Sequence, residues 1–407
     1  MKVLVLNCGS SSVKYELFES DPERSLADGV AERVGAGSGS ALHHRVGDAV
    51  ETTAEVAMPE HRAAIGELVA ALTSGEGAVL ESLDEVGAVG HRVVHGGEGF
   101  SGAVLIDEAV IEAIEECCEL APLHNPPNLV GIRACQDLMP GTPQVAVFDT
   151  AFHQTIPRRA HLYGLPYDYY EKYGLRRYGF HGTSHRYVTL EAADVLRERG
   201  PAPEQQRIVT CHLGNGCSMA AVRGGESMDT TMGFTPLEGL LMGTRCGDLD
   251  ATVPLFLMER EGLGTDDLDD LLNKSSGLLG LSGVSNDLRD VLDAADDGND
   301  RAGAAIDVFC YRVRKYIGAY AACLGGLDAI VFTAGIGEGS PRVRAESCSG
   351  LEFLGIAIDP ARNEAAVRPD KPIDISEETA SGAVLVVPTD EELMIARDTA
   401  GVLASLR

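Results

Sequence analysis

Two arginines set beside glycine turns are the residues whose type and setting first offer chemistry. Arg245 stands in Gly243-Thr244-Arg245-Cys246-Gly247-Asp248, a run too rich in glycine for a helix, where a guanidinium is free to fork onto a carboxylate or a phosphate. Arg92 opens a similar run, Arg92-Val93-Val94-His95-Gly96-Gly97, although a lone arginine is more often one half of a surface ion pair. Asp149 follows the apolar strand pattern of residues 145–148, outside the carboxyl end of a strand, where open α/β sheets gather ligands; capping the next turn is its alternative use. His181 and His185 lie four apart, but no glutamate follows the first and a glycine separates them, which argues against a zinc site. His181 reads as a hydrogen-bond donor to a charged ligand, and His185 as its support.

The elements around these residues repeat a theme. Residues 208–213 form a β-branched, apolar run, and Gly214-Asn215-Gly216 then turns the chain with residues that let backbone N–H groups approach a ligand. A second extended run covers 217–222, Arg223-Gly224-Gly225 turns again, and Asp229-Thr230-Thr231 places hydroxyls in a row suited to phosphate. An ordinary β-meander with glycine turns explains the same stretch equally well. The amino terminus echoes it, with strand 2–6, a turn Asn7-Cys8-Gly9-Ser10-Ser11-Ser12 and strand 13–18, which suggests an internal duplication. This turn is not a Walker A loop, because no second glycine precedes Lys14 and Tyr15 occupies the Ser/Thr position. Two further glycine-punctuated loops are expected at 275–289, ending in Asp287-Leu288-Arg289, and at 333–339 after a strand at 328–332. Residues 307–324 have helical spacing with a Gly325-Gly326 stop, and Thr389 or Asp390 caps a last helix whose Glu391 and Glu392 complement its dipole.

Composition narrows the partners. With 33 basic against 62 acidic side chains the formal charge is −29, which disfavours nucleic acid or an anionic membrane surface and leaves anion capture to local arginines. An acidic, lysine-poor surface also suggests salt adaptation, although GC-rich coding would produce the same arginine bias; a Tm and activity that fail to rise with added salt would exclude the adaptation. The ten cysteines show no CxxC pair and read as reduced core thiols; with no signal region and no apolar run near the ~20 residues of a membrane span, a cytoplasmic protein is expected.

The stretches VLVLNCGSSSVKYELF, GHRVVHGGE, APLHNPPN, VFDTAFHQTIP, RRYGFHGTSHRYV, HLGNGCSMAAV, DTTMGFTPLEGLLMGTRCGD, FTAGIGEGS and PTDEELMIAR run in order along the chain. Together they resemble the acetate kinase (acetokinase) family of the actin, sugar kinase and heat-shock chaperone superfamily. The resemblance implies an α/β, duplicated ribonuclease-H-like fold, with residues 1–150 plus 385–407 as one domain, 151–384 as the other and a cleft between them that closes by a hinge. It implies reversible, Mg²⁺-dependent transfer of the ATP γ-phosphoryl group to acetate, with Mn²⁺ as a substitute ion, in a homodimer. Asn7, Ser10, Ser12 and Lys14 match phosphate-side positions, Arg92 and Arg245 the clamps on carboxylate and phosphoryl group, and Asp149, His181 and Asn215 further cleft residues. Asn7 and Glu391 match metal-organising positions, and Val94, Leu123 and Pro236 a small acyl pocket. His212, Leu213, Gly214 and Gly216 with Asp287, Leu288, Arg289, Gly335, Ile336 and Gly337 match the ATP site. Cys8, Cys217, Glu226, Ala251, Gly339 and Asp390 depart from the usual family residues.

The chemistry agrees with those roles. A carboxylic acid with a pKa of about 4 arrives ionised and needs no general base, so Asp149 is an organiser rather than a proton acceptor. The barrier is anion meeting anion, and concentrated positive charge in a dry site lowers it, by direct in-line transfer. A propionate or other short-chain acid kinase, and an actin-like or chaperone-like ATPase, are the alternatives.

Overall fold

The computed structural model describes residues 1–47, 50–197 and 201–406. The chain divides into two compact units, Met1–Gln154 with Asp390–Arg407, and Thr155–Thr389.

The first unit is built on eight strands, β1 (Lys2–Cys8), β2 (Ser12–Ser20), β3 (Glu23–Glu32), β4 (Ala41–Val46), β5 (Val50–Glu55), β6 (Val86–Val93), β7 (Val104–Leu105) and β8 (Gln144–Phe148). They pair in the order β5-β4-β3-β2-β1-β6-β8-β7. β2 is antiparallel to both of its neighbours, β1 and β3, whereas β6 joins β1, and β8 joins β6, in parallel. Strand β1 is apolar on both faces because both are covered. Val3 and Val5 pack with Ile395 and Ala396 of the helix Glu391–Ser405. Leu4 and Leu6 turn the other way, onto Ile65 and Leu68 of the helix His61–Thr73. Alternation along a pleated strand dictates this split, and it leaves polar side chains only at the strand's two ends, Lys2 and Asn7.

The second unit repeats that plan. Its strands β9 (Arg207–Leu213), β10 (Cys217–Arg223), β11 (Glu226–Thr230), β12 (Ala329–Thr333), β13 (Ile373–Asp374) and β14 (Ala383–Val386) pair as β11-β10-β9-β12-β14-β13. Again three antiparallel strands precede two parallel ones, so β9 stands where β1 does, and β12 and β14 where β6 and β8 do. The duplication suggested by the two polar turns is therefore a property of the whole sheet. The helix Asp300–Leu324 covers β9 and β10 with Ile306, Phe309, Val313, Ile317, Tyr320 and Leu324, a spacing of three and four. It begins before residue 307 because Asn299 caps it, accepting hydrogen bonds from the Arg301 and Ala302 N–H groups.

Two expected loops are largely helical. Residues 275–289 contain the helix Gly277–Ser282 and the start of a helix Leu288–Asp296, the latter capped by Asp287, whose carboxylate accepts from the Arg289 N–H at 2.9 Å. Here Gly277, at φ +66°, lets the backbone pass against Met242 and start a turn, so glycine opens the helix instead of breaking it. Residues 333–339 close into the short helix Ala334–Gly339, held by the Glu338 carboxylate, which accepts from the Ala334 N–H at 2.7 Å and the Thr389 N–H at 3.1 Å. No described helix is long and apolar enough to cross a membrane.

Candidate active site

In the first unit the polar groups collect where β1, β6 and β8 end. Arg92, near the end of β6, reaches Asp149, the residue after β8, through two hydrogen bonds of 3.0 and 2.6 Å, and donates a third to Asn7 Oδ1 at 3.2 Å. Asp149 is buried at 1% exposure, so this fork is a shielded pair and not the surface ion pair that a lone arginine suggests. Burial works against the Arg92 charge, but attraction and hydrogen bonding from Asp149 outweigh it and hold the guanidinium more firmly protonated than usual. Glu391, first residue of the last helix, has its pKa pushed up to about 7, chiefly by burial; Arg92 and Lys14 favour its charge, and Asp149 and Glu392 oppose it. Ser10 and Lys14 are exposed and Ser12 partly so, around the tight turn closed by the Gly9 N–H to Ser12 O bond of 2.8 Å.

Positioning groups that sequence reasoning passed over hold these ends in place. Asn128 accepts from the Val94 N–H at 3.2 Å and donates to Cys8 O at 2.8 Å, tying the ends of β6 and β1 to the helix Asn125–Leu138. Asn125 brackets His95 in the same way. The signal was present as asparagines three apart around two prolines, a spacing that puts both side chains on one face of a helix start. His61 bonds Gly9 O at 2.6 Å, and only the tertiary fold brings it there. Val94 is buried at the end of β6, while Leu123 is 63% exposed.

In the second unit the turn 214–216 lies over His181 and Arg245. A Cβ built on Gly216 would sit 3.5 Å from His181 Cε1, 3.6 Å from His181 Nε2 and 3.6 Å from Arg245 Nη1, so one small space is bordered by both side chains. Arg245 donates to Pro236 O at 3.3 Å and lies 3.8 Å from Met242 Sδ; among the described residues it pairs with no carboxylate. Burial pulls its pKa below the ordinary arginine value. A half-buried guanidinium whose charge no acid answers is the arrangement expected of an anion site. The loop carrying it is pinned at both ends. Arg177 donates to Thr230 O, Thr231 O and Met232 O and to Glu238, which also accepts from the Tyr163 hydroxyl. Asp248 accepts from the Gly239 N–H at 2.9 Å and from the Tyr316 hydroxyl at 2.7 Å. The Thr230 and Thr231 hydroxyls, read above as phosphate ligands, are buried and spent on the Met219 backbone.

Beside the same turn opens a cavity of about 550 Å³, lined by Gly214, Asn215, Asn286, Asp287, Leu288, Arg289, Gly335, Ile336 and Gly339 among others. Its volume suits a nucleotide-sized ligand. Asn215 is fixed at its rim, its Oδ1 accepting from Asn286 Nδ2 at 3.1 Å and its carbonyl from the Gly243 N–H at 3.0 Å. Arg289 is exposed and folded back on Asp287. His212 and Leu213 are buried in β9 behind the lining, and Gly337 sits against the Phe332 and Cys211 backbone, so these three support the wall without forming it.

The acetokinase family pattern matches residues 2–397. The chain belongs to the acetokinase family. It is 55% identical over 399 residues to an acetate kinase of Methanosarcina acetivorans, covering 98% of this chain and 96% of that protein. Among solved structures it is similar to Porphyromonas gingivalis acetate kinase, with 50% identity, 99% of each chain covered and a TM-score of 0.93. A propionate kinase from Francisella tularensis is similar too, at 40% identity and a TM-score of 0.90, with 98% of this chain and 99% of that one covered.

Proposed function

We propose that this chain carries acetate kinase activity, moving the ATP γ-phosphoryl group reversibly to acetate, with acetyl phosphate and ADP as products. The observation that supports it best is Arg245, a partly buried guanidinium unanswered by any described carboxylate beside a cavity of nucleotide size. The adenosine part of ATP occupies that cavity against Asp287, Leu288, Arg289, Gly335 and Ile336, and Asn215 steadies the phosphate chain. Ser10, Ser12 and Lys14 serve the phosphates from the amino-terminal turn. Arg92 orients the acetate carboxylate, with Val94, Leu123 and Pro236 admitting only a short alkyl group. Arg245 and His181 offset the charge that spreads over the equatorial oxygens during in-line transfer.

Asn7 and Glu391 fit a hard divalent cation. Their donors are oxygens, and the Glu391 carboxyl, raised to about 7 by burial, gains most from added positive charge. Bound Mg²⁺, or Mn²⁺ in its place, neutralises phosphate oxygens. Asp149 keeps Arg92 in its forked orientation and takes no proton, because acetate arrives ionised.

The protein acts as a homodimer in the cytoplasm. The helix Thr252–Glu261 buries no side chain and leaves Leu255 and Phe256 65% and 56% exposed, an apolar face that a second copy would cover. Sedimentation at a monomer mass would refute the dimer.

Incubation with ATP, acetate and hydroxylamine tests the activity. Acetyl hydroxamate formed only when both substrates are present is the expected product; ATP hydrolysis indifferent to acetate would point instead to an actin-like ATPase. Likeness to a propionate kinase favours a second acceptor, and one methylene is worth about 1–3 kcal/mol, so kcat/KM for acetate, propionate and butyrate must be compared directly.

A further inference from the structure

His181 is held in an uncommon conformation. Among the described residues it is one of four non-glycine residues at positive φ, at +57°, just before the helix Gly182–Leu196, a backbone conformation that side-chain-bearing residues rarely adopt. Its Nδ1 lies 2.8 Å from Ser218 Oγ, and the same hydroxyl lies 2.8 Å from His185 Nε2. His185 Nδ1 in turn lies 2.7 Å from Thr210 Oγ1. Thr210, His185 and Ser218 are all fully buried. Ser218 has one proton to give and two ring nitrogens to serve, so at least one of those nitrogens must itself carry a hydrogen.

Taken in sequence, the four groups can be run in more than one direction, and the one that suits a bound anion is the following. The Thr210 hydroxyl donates to His185 Nδ1, His185 Nε2–H donates to Ser218, and Ser218 donates to His181 Nδ1. His181 then carries its hydrogen on Nε2, the nitrogen that with Arg245 Nη1 borders the space beneath Gly216. The reverse direction would aim a bare nitrogen lone pair at any anion bound there. His212, stacked on His181 with ring centroids 4.2 Å apart, fixes the plane of the ring.

We propose that Ser218 and His185 are positioning residues that set the His181 tautomer, so that Nε2–H is presented as a donor to the phosphoryl oxygens. The inference rests on the kinase reading for its ligand. The tautomer itself is independent of turnover.

Nitrogen-15 spectra of histidine-labelled protein, without nucleotide, report which ring nitrogen carries hydrogen. Expected is Nε2–H at both His181 and His185, and Ser218→Ala should let His181 populate both tautomers. Turnover should fall about tenfold in Ser218→Ala, with KM for acetate and ATP little changed, as for one neutral hydrogen bond lost in the transition state. His185→Gln, whose amide still donates towards Ser218, should keep the His181 tautomer and most of kcat, whereas His185→Leu should lose both. A His181 Nδ1–H tautomer in the parent protein would overturn the relay even if the enzyme makes acetyl phosphate. Equal kinetics in Ser218→Ala and the parent would overturn it as well. Absent acetyl phosphate with Nε2–H in place would count against the kinase reading alone.

Discussion

Arg92→Met and Arg245→Met should lose turnover to a similar degree yet change stability differently, because the two guanidinium groups are held in different ways. Arg92 is forked onto Asp149 at 3.0 and 2.6 Å, and Asp149 is 1% exposed. Deleting Arg92 strands that carboxylate, and an orphaned buried charge costs about 3–5 kcal/mol; the 22% exposure of Arg92 itself points to the lower end of that range. Arg245 makes only long bonds, to Pro236 O at 3.3 Å and Met242 Sδ at 3.8 Å, and among the described residues it has no acid to strand. Its loss removes a hydrogen bond worth ~0.5–1.5 kcal/mol and also relieves the burial of an unanswered charge, so stability should move by no more than about 1 kcal/mol. In a unit of this size each kcal/mol shifts Tm by ~2–4 °C. Both variants should lose about 10²–10³ in kcat, the range of one transition-state donor. Adding Asp149→Asn to Arg92→Met should return most of the stability and none of the activity. Initial rates of ADP formation and thermal unfolding with and without ligand measure all of this. An Arg245→Met protein that loses several kcal/mol, or that turns over within fivefold of the parent, would refute the reasoning.

Gly243→Ala would place a Cβ 1.9 Å from Asn215 Oδ1 and 3.0 Å from Asn286 O, so KM for ATP should rise at least about tenfold through displaced Asn215, with KM for acetate less affected. Asn128→Ala leaves the buried Val94 N–H and Cys8 carbonyl unpaired; a loss of about 2–4 kcal/mol is expected in urea unfolding, from two groups at ~1–3 each. Glu16 has its pKa raised to about 7, first by burial and then by Asp390, Glu392 and Asp28, against an ordinary value near 4.5. A carboxyl raised on folding favours the fold at low pH and loses that contribution as pH climbs through 7. Glu16→Gln should therefore be more stable than the parent at pH 8, and the gap should close by pH 5; a gap constant with pH would rule this out.

Much of the site was legible because its chemistry is local. Glycine turns at 214–216 and 9, an arginine in a glycine loop, and an aspartate ending a strand each announce themselves within a few residues. What lies in the first coordination of those groups was not legible. Residues 275–289 and 333–339 look like loops because glycine lowers helical propensity, but Glu338 and Asp287 cap short helices there, and a cap is worth about 1 kcal/mol or more. Thr230 and Thr231 looked like phosphate ligands until the register of β10 and β11 assigned their hydroxyls to Met219.

By itself the sequence determined the continuous apolar runs that make β1 and β9 central strands, the polar turns that end them and the family to which the chain belongs. Pairings such as Arg92 with Asp149, 57 positions away, and the absence of any described acid beside Arg245, were decided by tertiary structure. The physical reason is that hydrophobic patterning is a property of neighbouring residues, whereas the pairing of a charge depends on which strand ends the sheet order brings together.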